Sequence, residues 1–406
     1  MKILVLNAGS SSQKSRLYEL SDALPDLPPT PLWEADADWT ERQGFAEVKI
    51  KTAHGQVRNE EIQTDSRPAV IEHLLTTLWS GPTQVIAQPS DINIVGHRVV
   101  QGGQEYEQST IVTPEVKAVI KKLALLAPAH NPANLEGIEV AERMIPSAPQ
   151  VAVFDTAFHS QMPLPAAVYP VPYEWFEQGI RRYGFHGISY QYCTQRTAQI
   201  LGKDLKSLRL IICHLGNGCS LAAIQDGRSI DTTMGFTPME GLMMGARSGS
   251  IDPGIMLYLL REKGYSAEQL DTTLNKASGL KGVSGVSSDV RQIMKAISEG
   301  NRRAKLAFDI YVHRLRFYIG AMLAILGGVD ALVFTGGVGE HSAAVRAGVC
   351  ESFGFVGLKL DPEKNAQSPA DQDIATADSS VRVVIVHTLE DWAIAQECWR
   401  VAVGAR

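Results

Sequence analysis

Two turns rich in small and hydroxyl residues, set about two hundred positions apart, carry the clearest chemistry in this sequence. The first, Asn7-Ala-Gly-Ser-Ser-Ser-Gln-Lys14, follows the apolar run Ile3-Leu-Val-Leu6; the second, His214-Leu-Gly-Asn-Gly-Cys-Ser220, follows Ile211-Ile-Cys213. In each, a buried strand runs into a tight turn and back out into a second strand. Glycine lets the backbone approach an anion, serine adds hydroxyl donors, and successive N–H groups form a concave nest for phosphate oxygens. One such turn reads as a hairpin. Two, each opening a similar series of elements, point to a duplicated fold with a nucleotide between its halves.

A third glycine turn, Phe334-Thr-Gly-Gly-Val-Gly-Glu-His-Ser342, joins an apolar strand to a helix, where backbone can meet a nucleotide at the helix N-terminus. Alone it is an ordinary strand-to-helix turn. The chain has no GxxxxGK[ST], and neither Gly216-x-Gly218 nor Gly337-x-Gly339 completes GxGxxG, so P-loop and dinucleotide readings lose support. Histidines recur beside small or basic residues at His97-Arg98, His130-Asn131, His159, His186 and His214. Any one of them is more economically a hydrogen-bonded structural histidine, and no pair has zinc-ligand spacing. Arg247 lies in the apolar, glycine-rich Gly241-Leu-Met-Met-Gly-Ala-Arg-Ser-Gly249. If buried, it needs an anionic partner; if exposed, it is an ordinary salt-bridge residue.

The elements that must position these groups follow two parallel series. The first reads as strands over 2–6 and 15–20, a proline-rich excursion, strands over 47–51 and 56–63, a helix over 66–79, a strand over 92–95, helices over 114–126 and 131–144, and a strand over 150–154. The second reads as strands over 208–213, 219–225 and 228–231, helices between 251 and 326, a strand over 331–335, a helix from 342, a strand over 381–387 and a last helix from Glu390. This order implies two layered α/β domains. Prolines 163, 165, 170 and 172 mark the crossover, giving domains 1–158 and 159–387, with a final helix over about 388–406 packing back on the first. At 406 residues and 45% hydrophobic content the chain can bury two cores. A net charge of −6 gives no reason to expect nucleic acid, and the apolar run Phe317–Val329 is too short to span a membrane. Five cysteines without a CxxC pair suit a reducing cytoplasm.

Taken together, Asn7-x-Gly-Ser-Ser-Ser-x-Lys14, His97-Arg-Val-Val-x-Gly-Gly103, His130-Asn-Pro132, Phe154-Asp-Thr-Ala-Phe-His159, Tyr183-Gly-Phe-His-Gly187, His214-Leu-Gly-Asn-Gly218, Met234-Gly-Phe-Thr-Pro238, the Arg247 segment and Phe334-Thr-Gly-Gly-x-Gly-Glu340 resemble the acetate kinases. The resemblance runs in order from residue 1 to about residue 395. It implies the duplicated, actin-like (ribonuclease H-like) two-domain ATPase fold with an active-site cleft between domains. It also implies reversible in-line phosphoryl transfer from ATP to acetate, giving acetyl phosphate and ADP, with Mg2+ or Mn2+, in a homodimer.

By the same resemblance, Arg98, Asp155, His186 and Arg247 are catalytic, and Val100, Ala129, His130, Phe185 and Pro238 join Arg98 around the acyl group. Ser10, Ser12, Lys14 and the turn His214, Leu215, Gly216, Asn217 and Gly218 would meet the nucleotide phosphates. Asp289, Val290 and Arg291, with Gly337, Val338, Gly339, Glu340 and His341, would line the adenosine pocket. Asn7 and Glu390 would hold the metal. Acetate is already ionised at neutral pH, so Asp155 has no proton to remove and is expected to position an arginine, the substrate or the metal.

The chain departs from the family pattern at Gln101, Ile188, Tyr190, His341, Asp391 and Ala129. Ala129 stands where Leu is usual, which keeps a propionate or butyrate kinase of the same fold as the rival reading. A non-metabolic actin-like ATPase is the rival from another class, and it gives no reason for Arg98, His186 and Arg247 to occur together.

Overall fold

The computed structural model describes residues 1–9, 12–21, 23–25, 27–39, 42 and 44–404. The chain forms two compact units, Met1–Ser160 with Leu389–Arg406, and Gln161–Thr388.

The first unit is built on an eight-stranded sheet. Its strands are β1 (Lys2–Ala8), β2 (Ser12–Glu19), β3 (Trp33–Asp38), β4 (Phe45–Thr52), β5 (Val57–Gln63), β6 (Ile94–Val99), β7 (Thr110–Ile111) and β8 (Gln150–Phe154), in the order β5-β4-β3-β2-β1-β6-β8-β7. From β5 to β1 the ladder is an antiparallel meander, and β6 and β8 then run parallel to β1. The parallel strands are covered on both faces, so β1 and β8 are almost wholly buried apolar runs, whereas β4 alternates buried and exposed residues. Trp33, fully buried, anchors the core between the meander and the helix Arg67–Thr76, and its indole N–H donates to Thr77 Oγ1 at 3.2 Å. The helix Asn131–Met144 packs on β1 and β6, and the C-terminal helix Glu390–Gly404 packs on β1, β6 and β8. Gly96 makes that last docking possible. A Cβ there would sit 2.4 Å from Cys398 Sγ and 2.7 Å from Ile394 Cγ2.

The second unit repeats the pattern. Its strands β9 (Arg209–Leu215), β10 (Cys219–Gln225), β11 (Arg228–Thr232), β12 (Ala331–Thr335), β13 (Gln372–Asp373) and β14 (Arg382–Ile385) lie in the order β11-β10-β9-β12-β14-β13. Three antiparallel strands are again followed by two parallel ones, so β11-β10-β9-β12-β14 matches β3-β2-β1-β6-β8. The helices Gly187–Leu201 and Arg302–Leu326 cover this sheet.

Two local expectations change. The strand β3, Trp-Glu-Ala-Asp-Ala-Asp, was absent from the sequence reading because Ala, Asp and Glu are poor strand formers, yet its alternate residues Trp33, Ala35 and Ala37 face the core. The helix expected from 342 is found as Ala343–Cys350, capped by the Ser342 hydroxyl, which accepts from Val345 N–H, but the glycine turn before it is itself wound into a short helix, Gly336–His341.

Candidate active site

In the first unit the functional side chains gather at the C-terminal ends of β1, β6 and β8. Asn7 ends β1, and Lys14 lies directly opposite it on β2. Ser12, which starts β2, accepts the Gly9 N–H through its carbonyl at 2.8 Å and closes the turn; Ser10 lies outside the described residues. Arg98, near the end of β6, grips Asp155, the residue after β8, through a forked pair. Its Nη2 donates to Oδ2 at 2.7 Å, and its Nε lies 3.2 and 3.3 Å from the two carboxylate oxygens. Burial works against the Arg98 charge, but Asp155, Glu390 and Asp391 outweigh it and hold the guanidinium above its ordinary pKa. Burial also raises the Asp155 carboxyl, against the pull of Arg98. Both of its oxygens receive the arginine, a geometry that fixes the orientation of the guanidinium.

His97, one position earlier, turns the other way. Its Nε2 is 2.6 Å from Gln150 Oε1, the ring is buried, and burial lowers its pKa to about 4. It is a neutral structural histidine.

Asn7 Nδ2 donates to Asp391 Oδ1 at 2.7 Å and reaches Glu390 Oε2 at 3.4 Å. Both acids stand in the first turn of the C-terminal helix. Asp391 Oδ2 in turn lies 3.6 Å from Arg16 Nε. The amide nitrogen of Asn7 is thus committed to carboxylates, leaving its carbonyl oxygen and the Glu390 carboxylate as hard oxygen donors. Among the described residues no three His, Cys, Asp or Glu side chains are arranged to hold a metal ion by themselves. Asn7 and Glu390 therefore fit a cation that keeps several waters and takes further oxygens from phosphates, which is the habit of Mg2+.

Around the expected acyl site, Val100 is buried and its N–H donates to Asn134 Oδ1 at 3.1 Å. His130 is the N-cap residue of the helix Asn131–Met144, and Ala129 is exposed in the turn before it. Phe185 is buried in the second unit, and the Pro238 carbonyl accepts a 2.7 Å hydrogen bond from Arg247 Nη1.

In the second unit the hairpin between β9 and β10 closes at Gly216-Asn217-Gly218, with Gly216 N–H donating to Gly218 O at 3.0 Å. His214 on β9 and His186, the N-cap residue of the helix Gly187–Leu201, stack with ring centroids 4.2 Å apart. His186 is held at φ +59°, a left-handed conformation a residue with a Cβ rarely adopts, as expected of a side chain aimed for function. Arg247 is partly buried, and burial lowers its pKa. Its hydrogen bonds go to the Pro238 carbonyl and the Met244 sulfur, and no carboxylate among the described residues pairs with it. Gly218 shows where these groups converge. A Cβ built on it would lie 3.5 Å from His186 Nε2 and 3.6 Å from both terminal nitrogens of Arg247. Two nitrogen-bearing side chains thus face one small volume over the hairpin turn, an arrangement whose chemistry suits an anion.

Beside that turn opens a cavity of about 800 Å³, large enough for a nucleoside. The hairpin contributes Gly216 and Asn217, and the start of the helix Val290–Ser298 contributes Asp289, Val290 and Arg291. Gly337, Val338 and His341 line the opposite wall. Asp289 caps its helix by accepting from Arg291 N–H at 2.8 Å, and it also pairs with the Arg291 guanidinium. Three expected nucleotide contacts face elsewhere. Leu215 is buried in the sheet, and Gly339 abuts β9 and β12, where an added Cβ would meet Phe334 and Cys213 backbone. The buried Glu340 accepts the N–H groups of Gly336 at 3.0 Å and Thr388 at 3.2 Å and pairs with His387, so it ties the glycine turn to the segment after β14.

Other participants were not foreseen. Ser220 and Tyr190 back His186, Ser189 and Thr388 back His214, and Asp391 and Arg16 back Asn7. Ser220 in the second glycine turn, and Tyr190 and Asp391 among the departures from the family pattern, were visible in the sequence, but not as partners of these side chains.

Two sheets of one topology, one bearing an arginine–carboxylate fork and the other an anion site beside a nucleoside-sized cavity, define a kinase of the actin-like two-domain class. The chain belongs to the acetokinase family, whose model matches residues 2–396. It is 64% identical over 400 residues to the acetate kinase of a Cyanothece species, covering 98% of both chains. To the acetate kinase of a Nostoc species it is 65% identical, covering 98% of this chain and 99% of that one. Among solved structures, the acetate kinase of Porphyromonas gingivalis superposes with a TM-score of 0.89 at 40% identity, covering 99% of each chain. A propionate kinase from Francisella tularensis superposes with a TM-score of 0.87 at 38% identity, covering 98% of each.

Proposed function

We propose that the protein transfers the terminal phosphoryl group of ATP to acetate, reversibly, giving acetyl phosphate and ADP. The observation that carries the reading is Arg247, a partly buried guanidinium with no carboxylate partner among the described residues, facing the same point as His186 Nε2 beside the cavity. A buried cation without a counter-ion is costly, and a transferring phosphoryl group supplies one.

The obstacle in this reaction is anion meeting anion, because acetate arrives ionised and needs no base. Arg98, oriented by the Asp155 fork, holds the acetate carboxylate with a guanidinium nitrogen not consumed by that fork. Arg247 and His186 donate to the equatorial oxygens of the phosphoryl group as charge spreads over them. The hairpin turn and Lys14 hold the remaining phosphates, and the cavity takes the adenosine. Asn7 and Glu390 would hold Mg2+, which would neutralise phosphate charge.

Acetate as the acceptor is supported by the relatives at 64% and 65% identity. Propionate is the second reading, favoured by the solved propionate kinase and by the exposed, small Ala129. Trapping acyl phosphate with hydroxylamine, with ATP, Mg2+ and either acid, tests both. No hydroxamate from either acid would end the reading, and a higher kcat/KM for propionate would change the acceptor.

Two further properties belong to this reading. The helix Pro253–Glu262 buries none of its residues, and Ile255, Leu257, Tyr258 and Leu260 are each at least 42% exposed, which suits an interface with a second copy of the chain. All five cysteines are buried and unpaired, which suits the cytoplasm.

A further inference from the structure

His186 is set by more than its own backbone. Its Nδ1 lies 2.8 Å from Ser220 Oγ, and that oxygen lies 2.5 Å from the Tyr190 phenol oxygen. Ser220 and Tyr190 are both fully buried. The three groups come from three places: the N-cap of the helix Gly187–Leu201, its first turn, and β10, where Ser220 pairs with His214 of β9. The neighbouring His214 has a similar arrangement, with Nδ1 2.8 Å from Ser189 Oγ and Ser189 Oγ 2.9 Å from Thr388 Oγ1.

We propose that Tyr190, acting through Ser220, is a positioning residue that holds His186 as the neutral tautomer with its proton on Nε2, aimed at the transferring phosphoryl group. The inference rests on the phosphotransferase reading above. A serine hydroxyl has one proton and two lone pairs, so Ser220 either accepts from Tyr190 and donates to Nδ1, or accepts from both. The phenol is the more acidic hydroxyl, so it donates to Ser220 Oγ; in the proposed arrangement Ser220 passes its own proton on to Nδ1. Nδ1 is then an acceptor, and the ring proton must sit on Nε2. Burial keeps Tyr190 a phenol, so its proton stays in the chain. The surroundings agree. Arg247 already supplies a positive charge at the point Nε2 faces, and the ring stacks on His214, so a second cation there would be repelled while a neutral N–H donor is not. A proton on Nδ1 instead would leave Nε2 a lone pair facing phosphoryl oxygens, which would repel them.

Tyr190→Phe deletes one oxygen and keeps the packing. With thermal melting as the check on folding, kcat should fall about tenfold while KM for acetate and for ATP changes less than about twofold, as loss of a group acting only in the transition state requires. Ser220→Ala should cost at least as much, and the double variant no more than Ser220→Ala alone, because the two act in series. Ring nitrogen NMR of His186 provides the readout a purely structural role would not move. In the unsubstituted protein Nε2 should carry the proton and Nδ1 should not, and Tyr190→Phe should give a mixture. An unchanged kcat with an unchanged tautomer in Tyr190→Phe, alongside an inactive His186→Ala, would overturn the relay and leave the mechanism standing. Full activity in His186→Ala would instead bring down the reading beneath it.

Discussion

In the proposed reaction Arg98 and Arg247 do the same electrostatic work in different company. Arg98 is forked to Asp155, whereas Arg247 leans on the Pro238 carbonyl and has no carboxylate among the described residues. Arg247→Ala should therefore lower kcat by about a hundredfold or more, the usual effect of losing a preorganised transition-state donor, while the melting temperature holds or rises as an unpaired cation is removed. Arg98→Ala should lose comparable activity and also stability, since it strands the buried Asp155 carboxylate. Steady-state rates and thermal melts on the two purified variants check this contrast. Gly218 offers a sharper test of the convergence point. Its Cβ would meet neighbours only at ordinary contact distance, so Gly218→Ala should fold and melt normally, yet lose activity about a hundredfold by filling the space where His186 and Arg247 meet. Near-normal turnover in that variant would mean that the phosphoryl group passes elsewhere. These side chains could be read in the sequence because each sits in a local motif. The groups that orient them could not. Ser220 is 34 residues from His186 and Asp391 is 384 from Asn7, and no local pattern announces a hydrogen bond over such separations.

Among the elements, the two strand-turn-strand units beginning at β1 and β9 were legible, because buried parallel strands are continuous apolar runs ended by glycine turns. The strand β3 was not, since it alternates only small and acidic residues after its tryptophan. The turn at Gly336 shows a different limit. Its glycines announce a backbone that bends sharply, but whether Glu340 faces the cavity or the sheet depends on the N–H groups that recruit it, one of them 48 residues away. The C-terminal helix depends on a single small residue beneath it. Gly96→Ala would push against Cys398 and Ile394 and lift the helix that carries Glu390 and Asp391. Overpacking of this kind costs about 1 to 3 kcal/mol. The expected outcome is a lower urea midpoint together with a higher Mg2+ concentration at half-maximal rate. A stability loss with an unchanged Mg2+ titration would separate the helix from the metal.

Acid stability is a property of the whole molecule with a traceable source in His97. Its folded pKa of about 4 lies below the ordinary histidine value near 6.5, so between these pH values the unfolded chain binds a proton that the folded chain refuses. Stability from this group is present above pH ~6.5, falls as pH drops through the window, and levels off below pH ~4, a loss of roughly 3 kcal/mol. Denaturant unfolding across pH 4 to 7 should show that slope, and His97→Gln should flatten it. Association is the second such property. The 44.2 kDa chain should sediment at twice its mass, and Leu257→Glu with Tyr258→Glu on the uncovered helix should give the single mass with its sheets intact by circular dichroism. A double variant that remains at twice the mass would place the contact between copies on another surface.

The return of the last helix to the first sheet also fixes when the protein can become active during its own synthesis. Asn7 leaves the ribosome 383 residues before Glu390, the side chain that its amide reaches and with which it is proposed to hold the metal. The unit Gln161–Thr388 is one unbroken stretch and can close while the chain is still being made. The unit that starts first must wait, with the faces of β1 and β6 uncovered, until the helix that seals them is released. A nascent chain therefore completes the cavity beside the Gly216–Gly218 turn before Asn7 and Glu390 can meet, and a product cut short before Glu390 lacks that pairing.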